Sequence, residues 1–117
     1  MNNYPKKNDF PIWVKVPLKY IEMTKEPNEK YLPWYLFDLE NYKIRLNGMK
    51  KRYPARTLVP FARHDYSDDV ACWDVDRPGK VLIIHDYSSS GYENKYEFDS
   101  FEDWYKYILN MVEDNFI

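Results

Sequence analysis

Residues 70–85 read VACWDVDRPGKVLIIH, in which two apolar runs flank a short polar segment. Val70–Val75 and Val81–His85 are rich in β-branched and aromatic residues, which is typical of strands. Between them lies the segment DRPG, whose proline presets φ and whose glycine supplies a positive φ. The sequence therefore predicts a β-hairpin over residues 70–85.

Two helices are predicted on either side of this hairpin. Asp38 can cap the first helix, and apolar residues recur behind it at spacings of three and four, as a helix requires. They are Leu39, Tyr42, Leu46, Met49 and Tyr53. The run Lys50 to Arg52 falls in the last turn of this helix, where positive charge suits the helix dipole.

The second helix lies at the end of the sequence, where Asp99 or Ser100 can act as its cap. Its apolar stripe is predicted to face the core rather than a cofactor. The stripe consists of Phe101, Trp104, Tyr105, Ile108, Val112 and Phe116.

Weaker patterns predict further strands. They cover Ile12–Val16, Leu18–Met23, Tyr31–Phe37, Leu58–Arg63 and Lys95–Phe98. Pro33 places the third of these at a sheet edge or a bulge, because proline cannot donate to the ladder. A length of 117 residues predicts one domain, residues 1–117, with residues 1–10 frayed.

Composition favours a cytoplasmic globular protein. The longest apolar run, Val81–Ile84, is too short for a bilayer span, and no apolar segment follows the first lysines as in a secretory signal. A single cysteine cannot form an internal disulfide. Residues 1–58 carry 12 Lys+Arg and 6 Asp+Glu, whereas residues 59–117 carry 5 and 13. This asymmetry indicates either a charged binding face or two halves whose charges cancel in one sheet.

Residues 61–87 hold both histidines, the only cysteine and six aspartates, which makes this segment the candidate chemical centre of the sequence. The spacing of His64 and His85 matches no metal signature, and we expect no metal or cofactor. Cys72 lies within a predicted strand and is expected to be an inert, buried thiol. A small hydrolase that pairs Cys72 with His85 remains an alternative.

Other ligand classes find little support in the sequence. The aspartates at positions 65, 68 and 69 lack the central glycine and closing glutamate of a calcium loop. Three isolated glycines exclude a glycine-rich phosphate loop. The acidic second half argues against a nucleic-acid partner, and we expect no membrane partner either.

The run from Tyr53 to Asp114 resembles the SUKH superfamily, which includes the Smi/Knr cell-wall-assembly regulators. The segments that carry the resemblance are LVPFA, DDVACWD, KVLIIHDY and FDSFEDWYKYIL, in this order, with WYLFDLE before the first helix. The resemblance implies an α+β fold in which helices pack on a mostly antiparallel, twisted sheet. It also implies no enzymatic activity and no catalytic or metal-binding residues.

Bacterial members of this superfamily often act as immunity proteins that bind and neutralise a cognate toxin, frequently a nuclease. The resemblance thus implies a toxin as partner, and we expect a monomer or a weak homodimer. Tyrosine is frequent at interface hot spots, and acidic groups would complement a basic toxin. The candidate interface residues lie in predicted turns: Asp65, Tyr66, Asp68, Asp69, Asp76, Tyr87 and Tyr92. A regulatory scaffold without a toxin remains an alternative.

Overall fold

The computed structural model describes residues 3–115, with side chains for residues 3–111. The fold is α+β, as predicted: a five-stranded antiparallel sheet with three α-helices. The strands are β1 (Trp34–Leu36), β2 (Leu58–His64), β3 (Asp69–Asp74), β4 (Val81–His85) and β5 (Asn94–Phe98). The helices are α1 (Leu18–Thr24), α2 (Leu39–Arg52) and α3 (Phe101–Asn115), and short 3₁₀ turns cover Lys7–Asp9 and Asn28–Tyr31.

The strands follow one another across the sheet in chain order, so each pairs with its sequence neighbour. The predicted hairpin is confirmed as β3 and β4, in which Ala71 lies opposite Ile83 and Cys72 opposite Leu82. Gly79 in its turn has φ +81°, a conformation that glycine adopts without the usual steric cost. Strand β1 lies at an edge and begins directly after Pro33, in agreement with the proline rule.

An aromatic core fills the space between α3 and one face of the sheet. Trp104 of α3 contacts Trp34 and Phe61 edge-on, with ring centroids 5.8 and 5.0 Å apart. Phe101 packs on Phe61, and Phe61 stacks on Trp73 at 4.4 Å. The predicted stripe of α3 therefore faces the core. The side chain of Val112, and Phe116 as a whole, lie outside the described residues.

The two predicted helices begin directly after predicted capping residues. The Asp38 carboxylate accepts a hydrogen bond from the Asn41 N–H at 2.8 Å and caps α2. At α3 it is Ser100, rather than Asp99, that accepts from the Asp103 N–H, at 3.1 Å. None of the helices in residues 3–115 combines the length and the apolar composition needed to cross a bilayer.

The N-terminal predictions were wrong in three respects. Residues 12–16 form no strand, because the chain turns at residues 12 and 13, where the Val14 N–H donates to the Pro11 carbonyl oxygen at 3.0 Å and Ile12 is fully exposed. Leu18–Met23 is helical, since Tyr20 and Met23 are buried at a helical spacing of three. Residues 3–10 are packed rather than frayed, because Tyr4 and Phe10 are buried in the core.

Candidate functional site

Two chain connections meet at one end of the sheet. The turn between β2 and β3 covers residues 65–68, and the connection between β4 and β5 covers residues 86–93. They are joined by a hydrogen bond from the Asp86 N–H to the Asp68 carbonyl oxygen at 2.9 Å. Beside it, Asp69 lies directly opposite His85 in the ladder. Both connections therefore belong to one continuous surface.

Five of the seven predicted interface residues lie in these two connections. They are Asp65, Tyr66, Asp68, Tyr87 and Tyr92, which we call the turn surface. Its three tyrosines are among the most exposed large side chains of the protein, with 81%, 60% and 82% of their surface accessible. By contrast, five of the twelve tyrosines are buried in the core. Exposed tyrosines grouped at one end of a sheet are typical of a protein-binding surface.

Tyr87 is held in place by its neighbours. Its backbone has φ +67°, a left-handed conformation that a residue with a side chain adopts only when its surroundings enforce it. The Tyr87 N–H donates to the Asp86 carboxylate at 2.9 Å. Its ring lies 4.1 Å from the Arg52 guanidinium and 5.7 Å from that of Arg45. Tyr87 thus packs against two guanidinium groups while 60% of its surface stays accessible.

A buried carboxylate underlies this arrangement. Asp86 is almost inaccessible and accepts two hydrogen bonds from Arg52, at 2.8 and 2.7 Å, and one from Arg45 at 3.0 Å. The hydrogen bonds with Asp86 raise the pKa of Arg52, so the guanidinium stays charged. Both arginines belong to α2, seven residues and two turns apart, so they lie on the same helical face.

Gly48 leaves room for this contact. A Cβ atom at position 48 would lie 2.8 Å from a terminal nitrogen of Arg52. Gly48 lies inside α2 and does not end it, since the helix continues to Arg52. The glycine instead allows the Arg52 side chain to lie across the helix surface and reach Asp86. The Lys50 to Arg52 run therefore does more than complement the helix dipole.

Asp69 is placed differently from its prediction. Its carboxylate is buried and lies 2.6 Å from the Lys95 ammonium and 2.9 Å from His85 Nδ1. Burial disfavours its ionisation, but the hydrogen bonds from Lys95 and His85 outweigh this effect, and the pKa of Asp69 lies below its ordinary value. Asp69 therefore joins three strands and does not project into water.

Asp76 is also separate from the turn surface. It lies in the turn between β3 and β4, at the opposite end of the sheet. Its side chain is exposed, while its N–H donates to the Asp74 carboxylate at 2.9 Å. Asp76 therefore does not share a surface with the other six candidate interface residues.

The charge asymmetry of the sequence largely cancels inside the fold. Arginines of the first half pair with carboxylates of the second half, namely Arg45 and Arg52 with Asp86, and Arg56 with Asp74 and Glu93. All three carboxylates are buried. Of the acidic groups on the turn surface, Asp68 is exposed and forms no ion pair with any described residue, and Asp65 is half-buried with Arg63 4.0 Å away. The acidic face is therefore much smaller than the sequence suggests.

Cys72 and His85 do not form a nucleophile–base pair. Cys72 lies opposite Leu82 and His85 opposite Asp69, so the two side chains project from opposite faces of the sheet. Cys72 is fully buried, and burial raises the pKa of its thiol. A thiol in this environment does not form the thiolate that nucleophilic catalysis requires.

The histidines are also engaged in local contacts. His64 Nδ1 accepts a hydrogen bond from the Tyr66 N–H at 3.1 Å, and burial lowers the pKa of His64. His85 contacts Asp69, as described above. Among the side chains of residues 3–111, no group of three His, Cys, Asp or Glu residues is arranged to hold a metal ion.

The residues that sequence reasoning missed are the arginines that brace the turn surface. The only signal for Arg45 and Arg52 was their seven-residue spacing on α2. Comparison of the chain with protein-family models, curated proteins and solved structures gives no match. The resemblance to the SUKH superfamily therefore stays a prediction, and function has to be inferred from the surface itself.

Proposed function

We propose that this chain is a non-enzymatic protein-binding module that contacts its partner through the turn surface. The observation that carries the proposal is the grouping of three exposed tyrosines at one end of the sheet. Each ring offers a large amphipathic contact area with few rotatable bonds, so little conformational entropy is lost on binding. The braced backbone at Tyr87 lowers this cost further, since the ring is already oriented.

We further propose that the partner is a cognate toxin and that the chain acts in the cytoplasm as its immunity protein. The support is the ordered sequence resemblance over residues 53–114, together with a turn surface that carries an exposed carboxylate at Asp68. An acidic group among tyrosines would favour a basic partner such as a nuclease.

The test is affinity capture with matched variants. The chain is immobilised and exposed to lysate of the organism that encodes it, and the retained protein is identified. The double variant Tyr66→Ser/Tyr92→Ser should lose that protein, because both rings are exposed and contribute contact area. The control Ile12→Ser/Leu18→Ser removes two exposed apolar side chains elsewhere and should retain it.

The variant Tyr87→Gly extends the affinity-capture experiment. Glycine accepts φ +67° without strain, which offsets the lost ring contacts, so this variant should stay folded yet bind less well. The identified protein is then expressed alone in a bacterial host. Growth arrest that the wild-type chain relieves, and the tyrosine variants do not, would support an immunity role. A harmless partner that still needs the tyrosines would favour the regulatory scaffold, and retention by every variant would move the interface elsewhere.

A further inference from the structure

A second surface feature lies outside the turn surface. The N-terminal segment and α1 enclose a groove of about 620 Å³, a size in the range of ligand sites. Residues 3–7 form one wall, and α1 with its following residue Lys25 forms the other. None of its described lining residues belongs to the turn surface. An inference about this groove is therefore independent of the function proposed above.

The floor of the groove is apolar. It is formed by Tyr4, Val16, Tyr20 and Ile21, of which the two tyrosines are buried. The Tyr20 hydroxyl donates to the Pro5 carbonyl oxygen at 3.1 Å, which ties the two walls together. The Thr24 hydroxyl donates to the Ile21 carbonyl oxygen at 2.6 Å, so it offers no free donor to the groove. The floor therefore suits an apolar side chain.

The rim of the groove is positively charged on both walls. Lys6 and Lys7 lie on the N-terminal wall and Lys25 on the other, and all three are exposed. Their ammonium groups form no ion pair with any residue that the structure describes. None of the described lining residues is acidic. An occupant of the groove would thus meet three lysines around an apolar floor, with the Asp9 carboxylate, which accepts from the Lys6 N–H at 2.8 Å, beside the N-terminal wall.

We propose that this groove binds an acidic peptide segment of a partner protein, with an apolar side chain on the floor and carboxylates at the rim. Charge complementarity on two facing walls supports a ligand with several carboxylates spaced along a chain. A fatty acid has a single carboxylate, which could satisfy only one wall.

The probe is a pool of fluorescein-labelled hexapeptides with Glu or Asp at both ends and Leu, Ile, Phe or Met at the two central positions. Binding is measured by fluorescence anisotropy at low salt, with a second pool in which serine replaces the central residues. The acidic apolar pool should bind, and the serine pool should bind at least about tenfold more weakly, because it lacks the apolar contact.

The groove variant is Lys6→Glu/Lys7→Glu/Lys25→Glu, and its matched control is Lys43→Glu/Lys51→Glu/Lys106→Glu. The control makes the same charge change at exposed lysines outside the groove. The groove variant should weaken binding about tenfold or more, and the control should change it less than about threefold, since distant exposed charges are screened. Amide shifts in ¹⁵N spectra should be confined to residues 3–7 and 16–25.

Three results would overturn the proposal. The first is absence of binding across the whole acidic apolar pool at millimolar peptide. The second is an equal loss in both lysine variants, which would indicate unspecific charge attraction. The third is lysine-dependent binding to phosphatidylserine vesicles without peptide binding, which would make this a lipid surface. Circular dichroism of each variant establishes that the fold is kept. The variant Ile21→Ser changes a half-exposed position of the floor and so tests the groove without any change of charge.

Discussion

The Arg52 guanidinium donates two parallel hydrogen bonds to the Asp86 carboxylate, from Nε at 2.8 Å and from a terminal nitrogen at 2.7 Å. This contact links α2 to the connection after β4, more than thirty residues away in the chain. It also positions Tyr87, whose N–H donates to the same carboxylate. The stability of the fold and the shape of the turn surface thus depend on one buried group.

Replacing the Asp86 carboxylate should lower the free energy of unfolding. Asp86→Asn leaves two arginines without their counter-ion, and we expect a loss of about 3 kcal/mol in the free energy of unfolding, the lower end for a broken buried pair. Urea unfolding followed by circular dichroism measures it. Asp76→Asn removes an exposed carboxylate and should stay within about 0.5 kcal/mol of wild type. Similar losses in both variants would contradict the structural role of Asp86.

Gly48 offers a sharper test of the same contact. Gly48→Ala should gain about 1 kcal/mol of helix propensity, but its methyl group would displace the Arg52 guanidinium from Asp86. The gain should therefore appear in full only when Arg52 is already Ala. The measurement is a double-mutant cycle of Gly48→Ala and Arg52→Ala by urea unfolding. An equal gain in both backgrounds would show that the glycine is not needed for the Arg52 contact.

Asp69 predicts how stability depends on pH. Its pKa in the folded state is lowered, as is that of Glu93, and an unfolded aspartate titrates at about 3.9. A carboxylate of this kind stabilises the fold fully above the unfolded pKa, and the stabilisation is lost as pH falls through the folded pKa. Unfolding free energy should therefore decrease from about pH 5 downwards.

The matched variants for this dependence are neighbours in sequence. Asp69→Asn should flatten the decrease between about pH 5 and pH 3, because it removes one of the linked protons. Asp68→Asn changes the same charge at an exposed site, which has no ion pair among the side chains of residues 3–111, and should keep the wild-type slope. If both variants gave the same slope, the ion pairs of Asp69 with Lys95 and His85 would have no measurable effect.

Asp68 and Asp76 form a matched pair for testing the acidic part of the turn surface. Asp68→Lys should slow association with a basic captured partner about two- to tenfold at low salt, and the effect should shrink at high salt. Asp76→Lys makes the same change at the opposite end of the sheet and should have a smaller effect. Stopped-flow association at two salt concentrations measures both. Equal slowing would indicate attraction by net charge rather than by the turn surface.

Cys72 should be unreactive in the folded protein. Its thiol is fully buried with a raised pKa, so modification by a disulfide reagent at pH 8 should proceed only as fast as the protein opens. Cys72→Ala should lower the free energy of unfolding by about 1 to 2 kcal/mol and leave partner binding intact. Rapid modification of the native protein, or a folded Cys72→Ala variant without activity, would revive the hydrolase alternative.

Local signals were sufficient for the central and C-terminal parts of the fold. The DRPG turn predicted the β3–β4 hairpin, Asp38 predicted the start of α2, and the alternatives Asp99 and Ser100 predicted the start of α3. The strand predictions for the N-terminal third were wrong because β-branched composition alone does not specify a strand. A strand also needs a partner with free backbone groups, and the segment between Pro11 and Pro17 has none in the sheet.

The candidate site was predictable only in outline. Turn chemistry placed Tyr66, Tyr87 and Tyr92 in connections, and a sequential antiparallel sheet brought those connections to one end. Burial of Asp69 and Asp86 was not predictable, because their partners Lys95 and Arg52 come from distant positions. Charge counts along a sequence do not reveal which carboxylates are already paired inside the fold.

These long-range ion pairs also constrain the order of events during synthesis. The first 58 residues leave the ribosome with twice as many basic as acidic side chains, and Arg45, Arg52 and Arg56 have no buried counter-ion until Asp74, Asp86 and Glu93 follow. Phe101 and Trp104, which complete the aromatic core, come later still, on α3. A nascent chain that stops before residue 93 should therefore stay protease-sensitive, and compaction should await release of nearly the whole sheet.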